Sequence, residues 1–383
     1  MNFDLAEEQR LLADSLAKWA ARAYDFDRRT KISASPEGRS RAVWAELAEL
    51  GLHGLPFAED DGGYGGGPVE IMLVMEAIGR ALVTEPWLDA VVLAGAILRH
   101  GATPEQRAAL VPAIAAGEML LVPAWTETQA RWRLSDVATR ATAVAGGWRL
   151  DGAKTLVVHG ATADRFVVSA RTAGERTSPT GIGLFLVDRA APGLSLVDHP
   201  THDGGRVADL RFDGVFVAAD AAVGDPCAGL PILERAVDEA IAAIAAEAVG
   251  IMDEALRMTV EYLKTRVQFG RPIGSFQALQ HRAADMFVAI EQARSMALWA
   301  TMSVAEPDAA VRGAAMSAAK VKIAESARFV GQQAIQLHGG IGMTWEYKIG
   351  HLFKRLTMID KRFGDRDHHL DRLAAVDGPV GSM

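Results

Sequence analysis

The sequence has little cysteine and no long uninterrupted apolar segment. Cys227 is the single cysteine among 383 residues, so no disulfide can form within the chain, which fits a reducing cytoplasm. No apolar run reaches the roughly 20 residues that a membrane-spanning helix needs. A basic excess is also missing, because the formal net charge is −8 and no basic stripe stands out. These absences argue against disulfide-rich secreted, membrane-spanning and nucleic-acid-binding proteins.

The first residues lack the features of an export signal. MNFDLAEEQR is acidic and amphipathic, with neither a basic n-region nor an apolar h-region, and it predicts no signal peptide. Tandem repeats and low-complexity segments are also missing from the pattern. The hydrophobic fraction of 50% is typical of a globular protein, and the length suffices for two or three domains. We therefore expect a cytoplasmic, multidomain protein.

Three blocks of different periodicity follow one another along the chain. In the first block, apolar residues recur at helical spacing, as in Val69–Leu82. The second block has short β-branched or alternating runs, separated by Gly, Asp and Pro turns, and each run is expected to be a strand. Examples are Trp148–Leu150, Thr155–Val158 and Arg165–Ala170. Helical patterns then return. The sequence predicts an α+β fold with an N-terminal all-helical domain (1–121), a small middle β-barrel or sandwich domain (122–225) and a C-terminal four-helix bundle (226–383).

One long helix is predicted over Ala236–Tyr262, where good helix formers continue without a proline. Between Ala240 and Met252 this helix is nearly apolar on every face, which is typical of a buried helix. Glu247 is the one charge in that run, and the residues one turn away offer it no partner. A carboxylate desolvated in this way can accept a proton near neutral pH. A distant Arg or His, or a wet groove, would instead make the residue structural.

Two further segments have the chemistry of a phosphate site. Arg266 follows the long helix, where a guanidinium is suited to bidentate recognition of a pyrophosphate. Gln277 can offer an amide to a phosphate or a ribose. Gly339, Gly340 and Gly342 can form a nest of backbone N–H groups after a helix. The alternative is a glycine-based helix C-cap beside a surface arginine. Both segments together favour a phosphate ligand.

Five segments, in the right order, resemble the acyl-CoA dehydrogenase family. They are FDLAEEQRLLADSLAKWA near the N-terminus, AWTET with LSDVATRAT, GGWRLDGAKTLVVHGATADRFVVSART in the β block, RVQFGRPIGSFQALQHRAADM after the long helix, and QLHGGIGMTWEYKIGHLFKR near the C-terminus. The resemblance covers nearly the whole chain. It implies the helical, β and helical domains of that family, FAD as the cofactor, and a dimer of dimers.

The resemblance also implies roles for individual residues. In the family, the RVQFG-type and QLHGGIG-type segments bind the adenosine diphosphate part of FAD and meet across a dimer interface. The matching residues here are Arg266, Phe269, Gln277, Gln336, Gly339 and Gly340. Thr126 matches the residue that hydrogen-bonds the flavin ring, and Ser135 matches the serine near the phosphates. No metal ion is expected.

The family reaction places an acyl-CoA thioester between the flavin and a carboxylate. The carboxylate removes the pro-R α-proton while the β-hydrogen leaves as hydride to flavin N5. The product is a trans-2-enoyl-CoA, and the electrons pass to an electron-transferring flavoprotein. Hydrogen bonds to the thioester oxygen stabilise the developing enolate. By resemblance, this chain is expected to catalyse the same α,β-dehydrogenation.

The chain departs from the family pattern at the catalytic base. The common Tyr-Glu-Gly-Thr motif is replaced, because counting from GGIG puts Phe363 on its Glu and counting from Arg355 puts Gly364 there. Neither side chain can take a proton, although the backbone N–H could serve the thioester oxygen. A second family position for the acid, as in isovaleryl-CoA dehydrogenase, aligns with Ala240. Glu247 lies two turns later on about the same helix face and is predicted to be the base.

Other carboxylates are weaker candidates for the base. Glu239 is the next choice, but its neighbours Asp238 and Arg235 predict a solvated side chain. Asp365 and Asp367 lie in a charged stretch that is expected to be exposed.

Two more departures bear on flavin binding. In place of the family's Trp-Ile-Thr-Asn stretch, the chain has Leu156, Val157, Val158 and His159, so aliphatic groups replace an indole and a hydroxyl. The Arg that often follows the helix-borne base position is Ile241. Flavin binding is then either weaker or dependent on a partner subunit. Bacterial relatives with such changes, among them subunits of steroid side-chain dehydrogenases, can form α2β2 heterotetramers.

Three functions are compatible with the pattern. The first is FAD-dependent dehydrogenation of an acyl-CoA, and the apolar region Ala310–Ile335 suits burial in a tetramer that is either homomeric or shared with a sister subunit. The second is a non-catalytic or half-site subunit of such a heterotetramer. The third is a flavin monooxygenase of the same fold. Glu247 in its apolar run favours the first.

Overall fold

Two compact units make up the chain in the computed structural model, which describes residues 4–377. One unit combines the N-terminal segment through Arg29, Pro68–Val83 and the chain from Ile241 onward. The other comprises Thr30–Gly67 and Thr84–Ala240. Both units therefore draw on separated stretches of sequence, and the linear domain boundaries after residues 121 and 225 stay a prediction.

Helices occupy the first third of the chain, as the apolar spacing predicts. They are α1 (Glu7–Ala23), α2 (Phe26–Ser33), α3 (Arg41–Glu49), α4 (Pro68–Ala81), α5 (Ala94–Gly101) and α6 (Pro104–Ala115), with a buried π-helical segment at Leu88–Leu93 before α5. Side chains fix several of their ends. The Thr103 hydroxyl accepts from the Gln106 N–H, and the Gln106 amide oxygen accepts from the Thr103 N–H, which is a capping box at the start of α6.

A seven-stranded sheet follows in the second unit. Its strands are β1 (Leu121–Ala124), β2 (Arg140–Val144), β3 (Gly147–Val158), β4 (Arg165–Arg171), β5 (Ile182–Asp188), β6 (Leu194–Pro200) and β7 (Arg206–Ala218). The strand order is β1-β4-β2-β3-β7-β6, and β5 pairs with β4. β4 lies between β1 and β5 and is almost fully buried, as its continuous apolar run predicts.

Strand β3 is longer than the sequence predicted. The runs Trp148–Leu150 and Thr155–Val158 were predicted as separate strands, but they belong to one strand that pairs with β7 over its whole length. The register of this pairing shifts between Leu150 and Gly152 and again between Lys154 and Val157. Each shift interrupts the alternation of inward and outward side chains. The alternating sequence pattern is therefore interrupted at positions where the strand itself continues.

The C-terminal part of the chain is helical. It contains α7 (Leu230–Thr265), a short hairpin of β8 (Val267–Gln268) and β9 (Arg271–Pro272), then α8 (Gln277–Ser303), α9 (Ala309–His338), α10 (Lys348–Lys361) and α11 (Arg366–Asp377). Helix α9 packs against α8, α10 and α11, which requires apolar or small residues around most of its circumference.

Together these elements confirm the predicted α+β arrangement of helices, a β region and further helices. Within residues 4–377, no helix combines the length and the hydropathy that crossing a membrane requires.

Candidate active site

Glu247 lies in the buried middle of α7, and its partner comes from α10. The carboxylate is 2% exposed, in a stretch from Ala236 to Met252 whose residues are all buried. The guanidinium of Arg355 donates to it twice, from Nε to Oε1 at 2.5 Å and from Nη2 to Oε2 at 3.0 Å. The side chain of Arg355 itself is 24% exposed. The distant arginine of the structural alternative is therefore present, and Glu247 is an ion-paired carboxylate whose direction Arg355 fixes.

The helix turn that carries Glu247 is held by a close crossing of α4 and α7. A Cβ added to Gly79 would lie 2.1 Å from the carbonyl oxygen of Glu247, and one added to Gly250 would lie 2.0 Å from that of Glu76. The two glycines therefore let the helix backbones touch at this level. Any larger residue at either position would force the helices apart.

The sequence predicted a solvated side chain for Glu239, the runner-up for the base, and this prediction is wrong. Glu239 is 7% exposed and pairs with Arg99, with Nε2 of His100 at 2.6 Å, and with Nε of Arg235 at 3.6 Å. Burial alone would raise the pKa of the Glu239 carboxyl, but His100 and Arg99 outweigh it and lower the pKa below its usual value. A carboxylate bound by several cations is a poor proton acceptor, so Glu239 serves as an ion-pair hub.

The two aspartates of the C-terminal stretch are poor candidates as well. Asp367 is 84% exposed, as predicted. Asp365 is half-buried and pairs with Lys361 at 3.1 Å. Burial would raise the pKa of the Asp365 carboxyl, but the His368 N–H and Lys361 lower it. Asp365 therefore lacks the raised pKa that a general base near neutral pH uses, and Asp367 lies in solvent.

The turn between α10 and α11 carries Phe363 and Gly364, the two residues that the sequence comparison aligns with the family's C-terminal acid. Phe363 and Gly364 are buried there, and both have positive φ, at 58° and 112°. Within residues 4–377, the N–H of Gly364 has no hydrogen-bond acceptor. A backbone N–H without an acceptor in the protein is available to donate to an oxygen of a ligand.

The segment that contains Thr126 follows β1 in the chain and is hydrogen-bonded to β3. The Thr126 hydroxyl donates to the carbonyl of Thr155, and the Thr155 N–H donates back to the Thr126 carbonyl at 2.9 Å. The adjacent Glu127 is buried and accepts from the Lys154 ammonium at 2.6 Å and from the Ala138 N–H at 2.8 Å. These hydrogen bonds fix the position of Thr126. Its side chain is half-exposed and lies next to the buried ion pair of Glu127 and Lys154.

Ser135 lies in a loop that one buried arginine organises. Arg171 donates from Nη2 to the carbonyl of Ser135 at 2.7 Å and also bonds the carbonyls of Arg176, Ser178 and Thr180. Since Arg171 is 3% exposed, these bonds cross the interior of the second unit. The backbone at Ser135 is fixed, while its side chain is only half-buried.

The hairpin after α7 presents exposed groups suited to FAD. Phe269 is 90% exposed at φ 54° and meets the ring of Phe276 edge-on at 6.1 Å. Arg266 and Gln277 are exposed, and the Arg266 guanidinium contacts no carboxylate within the described residues. An exposed guanidinium and an exposed aromatic ring in one short segment fit a ligand that carries both phosphates and a base.

The glycine loop after α9 lies next to the end of α7. The ring of His338, in the last turn of α9, stacks on Tyr262 at 4.7 Å, four residues before Arg266. Gln336 is exposed and its carbonyl accepts from the Gly339 N–H. A Cβ added to Gly339 or Gly340 would meet nothing within 4 Å, so the loop backbone is open to close approach. The two sequence signatures for FAD are therefore neighbours within one unit.

The residues that replace the family's Trp-Ile-Thr-Asn stretch are arranged unusually. Leu156 is 60% exposed at φ 55°, and Asp209 fixes its backbone through the Leu156 N–H at 3.2 Å. His159 is buried at φ 50°, and burial lowers the pKa of its imidazole to about 4. Val158 is half-buried. Leu156, which the sequence comparison aligns with the family's indole, thus projects an apolar side chain.

Sequence reasoning missed one further carboxylate. Glu76 is the single charge in the apolar run Ile71–Gly79 of α4, the same signal that singled out Glu247. Burial raises the pKa of the Glu76 carboxyl, although Arg294 opposes the shift. The described part of the chain contains no group of three or more His, Cys, Asp or Glu residues arranged to hold a metal ion.

Comparison with protein-family models gives three matches that together span most of the chain. The acyl-CoA dehydrogenase N-terminal domain matches residues 6–118, the middle domain matches residues 123–215, and the C-terminal domain matches residues 228–376. The matches occur in the order expected for one family.

Whole-chain relatives agree with these matches. A probable acyl-CoA dehydrogenase of Bacillus subtilis, YngJ, is 30% identical, over 97% of this chain and 98% of its own length. The structure of a variant of the Tcur3481–Tcur3483 steroid ACAD superposes with a TM-score of 0.87 at 31% identity, covering 97% of this chain and 98% of that chain. The ChsE4–ChsE5 complex of Mycobacterium tuberculosis gives a TM-score of 0.87 at 26% identity, covering 99% and 100%.

Proposed function

Since the chain belongs to the acyl-CoA dehydrogenase family, whose members are FAD-dependent oxidoreductases acting on CH–CH bonds, we propose that it converts an acyl-CoA thioester to the trans-2-enoyl-CoA with Glu247 as the base. Glu247 removes the α-proton. When bound, FAD accepts the β-hydrogen as hydride.

The buried Glu247 is the observation that carries this proposal. It is the carboxylate that α7 places at 2% exposure, and the turn at Phe363 and Gly364 offers no acidic side chain in its place. Arg355 holds both carboxylate oxygens, which sets the orientation of the base before substrate arrives. Because Arg355 is partly exposed, its guanidinium can move toward solvent when an oxygen of Glu247 takes a proton.

The Gly364 N–H is the proposed donor to the thioester oxygen. It is buried and has no acceptor within residues 4–377. A backbone donor of this kind stabilises the charge that develops on the oxygen as the α-proton leaves. The base and the oxygen donor then come from different helices of the same unit, with Glu247 on α7 and Gly364 after α10.

FAD is proposed to bind through the residues that the resemblance to the family assigns to it. Arg266 is suited to the pyrophosphate, and Phe269 to the adenine, because a free guanidinium and an exposed ring are the groups that these parts require. The other proposed contacts are Gln277, Gln336, Gly339 and Gly340, with Thr126 toward the flavin ring and Ser135 toward the phosphates.

Assembly into a tetramer, homomeric or with a sister subunit, is part of the proposal. Helices α8 and α9 leave large apolar side chains exposed, which is unusual for a face in contact with water. They include Phe287, Val288, Trp299, Val311 and Phe329. Electrons are proposed to leave to an electron-transferring flavoprotein, as in the family.

A specific observation favours a second candidate function, that of a half-site subunit. Leu156 projects at 60% exposure where the family has an indole, and the hydroxyl of that stretch is replaced by Val158. A chain with these changes would hold the base while a sister subunit completes the flavin site. The ChsE4–ChsE5 structure is a complex of two differently named chains and supports this arrangement.

The visible spectrum tests both candidates. The purified protein is mixed anaerobically with acyl-CoA thioesters of different length, and bleaching of the flavin band by the chain alone supports the complete enzyme. Bleaching that requires a co-expressed sister subunit supports the half-site. Arg266→Ala should lose flavin on gel filtration, while Lys264→Ala, which removes an exposed charge two residues earlier, should keep it. Full flavin retention by Arg266→Ala contradicts the cofactor assignment.

A further inference from the structure

The turn after α10 is fixed by buried side chains that the reaction described above does not use. Ser317 and Lys320 reach it from α9, and His369 reaches it from α11. All three are at most 1% exposed. A turn at a helix end rarely has this much buried polar support, so the position of its backbone is tightly set.

His369 holds the peptide group that carries the Gly364 N–H. Its Nε2 lies 3.1 Å from the carbonyl oxygen of Phe363, and that carbonyl belongs to the same peptide unit as the N–H of Gly364. In a planar trans peptide the C=O and the N–H point in opposite directions. The hydrogen bond from His369 therefore fixes the orientation of this peptide unit, including the direction of the Gly364 N–H.

The protonation state of His369 follows from its partners. A carbonyl oxygen can only accept, so Nε2 carries the proton and donates to Phe363. Nδ1 then accepts from the Ser317 hydroxyl at 3.2 Å. Burial, reinforced by the nearby Lys320 charge, lowers the pKa of His369 to about 3, so the ring is neutral at ordinary pH. Ser317, His369 and the peptide form one directed chain of hydrogen bonds.

Lys320 fixes the next peptide group. Its Nζ donates to the carbonyls of Ile359 at 2.9 Å, Asp360 at 3.0 Å and Gly364 at 2.8 Å. Burial lowers the pKa of Lys320 to about 7, and these three carbonyls, two of them near the C-terminal end of α10, favour its charged ammonium form. The peptide units on both sides of Gly364 are thus held by buried donors.

We propose that His369 is a positioning residue for the oxygen-binding step, which fixes the Phe363–Gly364 peptide and strengthens its N–H as a donor to the thioester oxygen. This inference rests on the proposed function. A hydrogen bond donated to a peptide carbonyl polarises the whole unit, so the opposite N–H becomes a stronger donor. Ser317 supports the ring, and Lys320 keeps the following peptide from rotating.

Acetoacetyl-CoA is the test ligand, because the measurement with it does not depend on removal of a proton from an unactivated acyl-CoA. Its enolate absorbs in the near ultraviolet, so the enolate fraction of the bound ligand reports how well the thioester oxygen is stabilised. Titration with pH is compared for the wild-type holoenzyme, His369→Leu, His369→Gln and Ser317→Ala. The Gln amide retains an N–H donor at the position of Nε2, whereas Leu has none. His368→Leu is the matched control, because it removes the adjacent ring and keeps the bond to Phe363.

We expect His369→Leu to lower the apparent ionisation constant of the bound acetoacetyl-CoA by about tenfold or more. His369→Gln should recover most of the loss, and Ser317→Ala should show a smaller decrease in the same direction. His368→Leu should match the wild type. If His369→Leu does not fold, Ser317→Ala and His369→Gln still decide the question through their order.

The outcomes separate this inference from the proposed function. If the wild type ionises the probe strongly and His369→Leu does so equally, the positioning role is wrong while the dehydrogenase function stands. If the wild type ionises the probe in a His369-dependent manner but never reduces its flavin with an acyl-CoA, the positioning role stands and the assignment of the base fails. A wild type that binds no acetoacetyl-CoA overturns both.

Discussion

Glu247 and Arg355 form a bidentate ion pair between residues 108 positions apart in the sequence. The two contacts are Oε1 to Nε at 2.5 Å and Oε2 to Nη2 at 3.0 Å. The proposed base is therefore held by charge-assisted hydrogen bonds that must partly loosen when it takes a proton. The pair connects the proposed base on α7 to an arginine of α10.

The first prediction concerns Glu247 as the base. Glu247→Gln keeps the size of the side chain and an oxygen for Arg355 but removes its basicity. We expect the rate of flavin reduction in single-turnover mixing to fall by about 10²–10⁴. Flavin content and acyl-CoA binding should remain, because this residue is not proposed to hold either.

Glu254→Gln is the matched control for that prediction. Glu254 lies two turns along the same helix, is 7% exposed and pairs with Arg257 and Lys348. Its loss should leave the reduction rate close to that of the wild type. If Glu247→Gln also reduces its flavin at that rate, the base lies elsewhere, and Glu76→Gln and Glu239→Gln are the next variants to measure.

The second prediction concerns the energy of the ion pair. Arg355→Met leaves the Glu247 carboxylate buried without that partner, which should cost about 2–4 kcal/mol of unfolding free energy. The double variant Glu247→Gln with Arg355→Met should lose less than the sum of the single variants, because no charge is then left uncompensated. Urea unfolding measures all of these values.

A pair whose arginine is largely exposed serves as the reference for this measurement. Arg328 is 63% exposed and 4.0 Å from Asp360, so Arg328→Met should change the unfolding free energy by about 1 kcal/mol or less. An Arg355→Met protein as stable as the Arg328→Met protein would contradict a buried, energetically important pair.

The third prediction concerns the crossing of α4 and α7. Gly79→Ala and Gly250→Ala each place a Cβ within 2.1 Å of a carbonyl oxygen of the facing helix, so each should destabilise the protein by about 1–3 kcal/mol or more. Gly79→Ala should also slow flavin reduction, because the clash is with the backbone of Glu247 itself. Thermal unfolding and single-turnover mixing measure the two effects.

Gly313→Ala is the control for that crossing. A Cβ there would meet only the end of the Arg372 side chain, at 3.1 Å from Nη2. In a helix interior the exchange of Gly for Ala gains roughly 0.5–1 kcal/mol. If Gly79→Ala is stabilising like Gly313→Ala, the two helices do not touch as described.

The fourth prediction concerns acid stability at Glu127. Burial would raise the pKa of this carboxyl, but Lys154, Gln129 and the Ala138 N–H outweigh it and lower the pKa from 4.5 to about 2. A carboxyl whose pKa is lowered on folding stabilises the protein above its unfolded pKa, and this stabilisation disappears as pH falls toward the folded value. Roughly 3 kcal/mol should therefore be lost between pH 4.5 and about 2.

Glu127→Gln should flatten that part of the stability curve. The variant should be less stable at neutral pH, because Lys154 stays buried without its anion, and it should change little between pH 4.5 and 2. Urea midpoints measured across this pH range give both slopes. The exposed Glu175→Gln serves as the control and should follow the wild type. An unchanged slope in Glu127→Gln would show that another carboxyl governs acid unfolding.

Local sequence patterns predicted the elements and the buried stretch around Glu247. The apolar run of α7 is long and free of proline, so its burial follows from composition alone. Strand β3 was divided wrongly because its two bulges interrupt the alternation. The predicted elements therefore fail where the backbone departs from a regular period.

The surroundings of the carboxylates could not be read from their neighbours in sequence. Glu239 looked solvated beside Asp238 and Arg235, but Arg99 and His100 of α5 bury it. Arg355 lies 108 positions from Glu247 in the sequence, and no local pattern connects the two residues. The close approaches of Gly79 to Glu247 and of Gly250 to Glu76 could not be predicted either, because neither glycine has a positive φ and both differ from other helix glycines only in what they face.

The backbone at Gly364 restricts how the location of the acid can evolve. A glutamate placed there would need φ near 112°, and its Cβ would lie 2.4 Å from Cδ2 of His368 and 2.7 Å from Nε2 of His369. Both histidines and the turn itself would have to change before an acid could return to this position. An acid at this position would therefore require changes at neighbouring residues as well as at Gly364 itself.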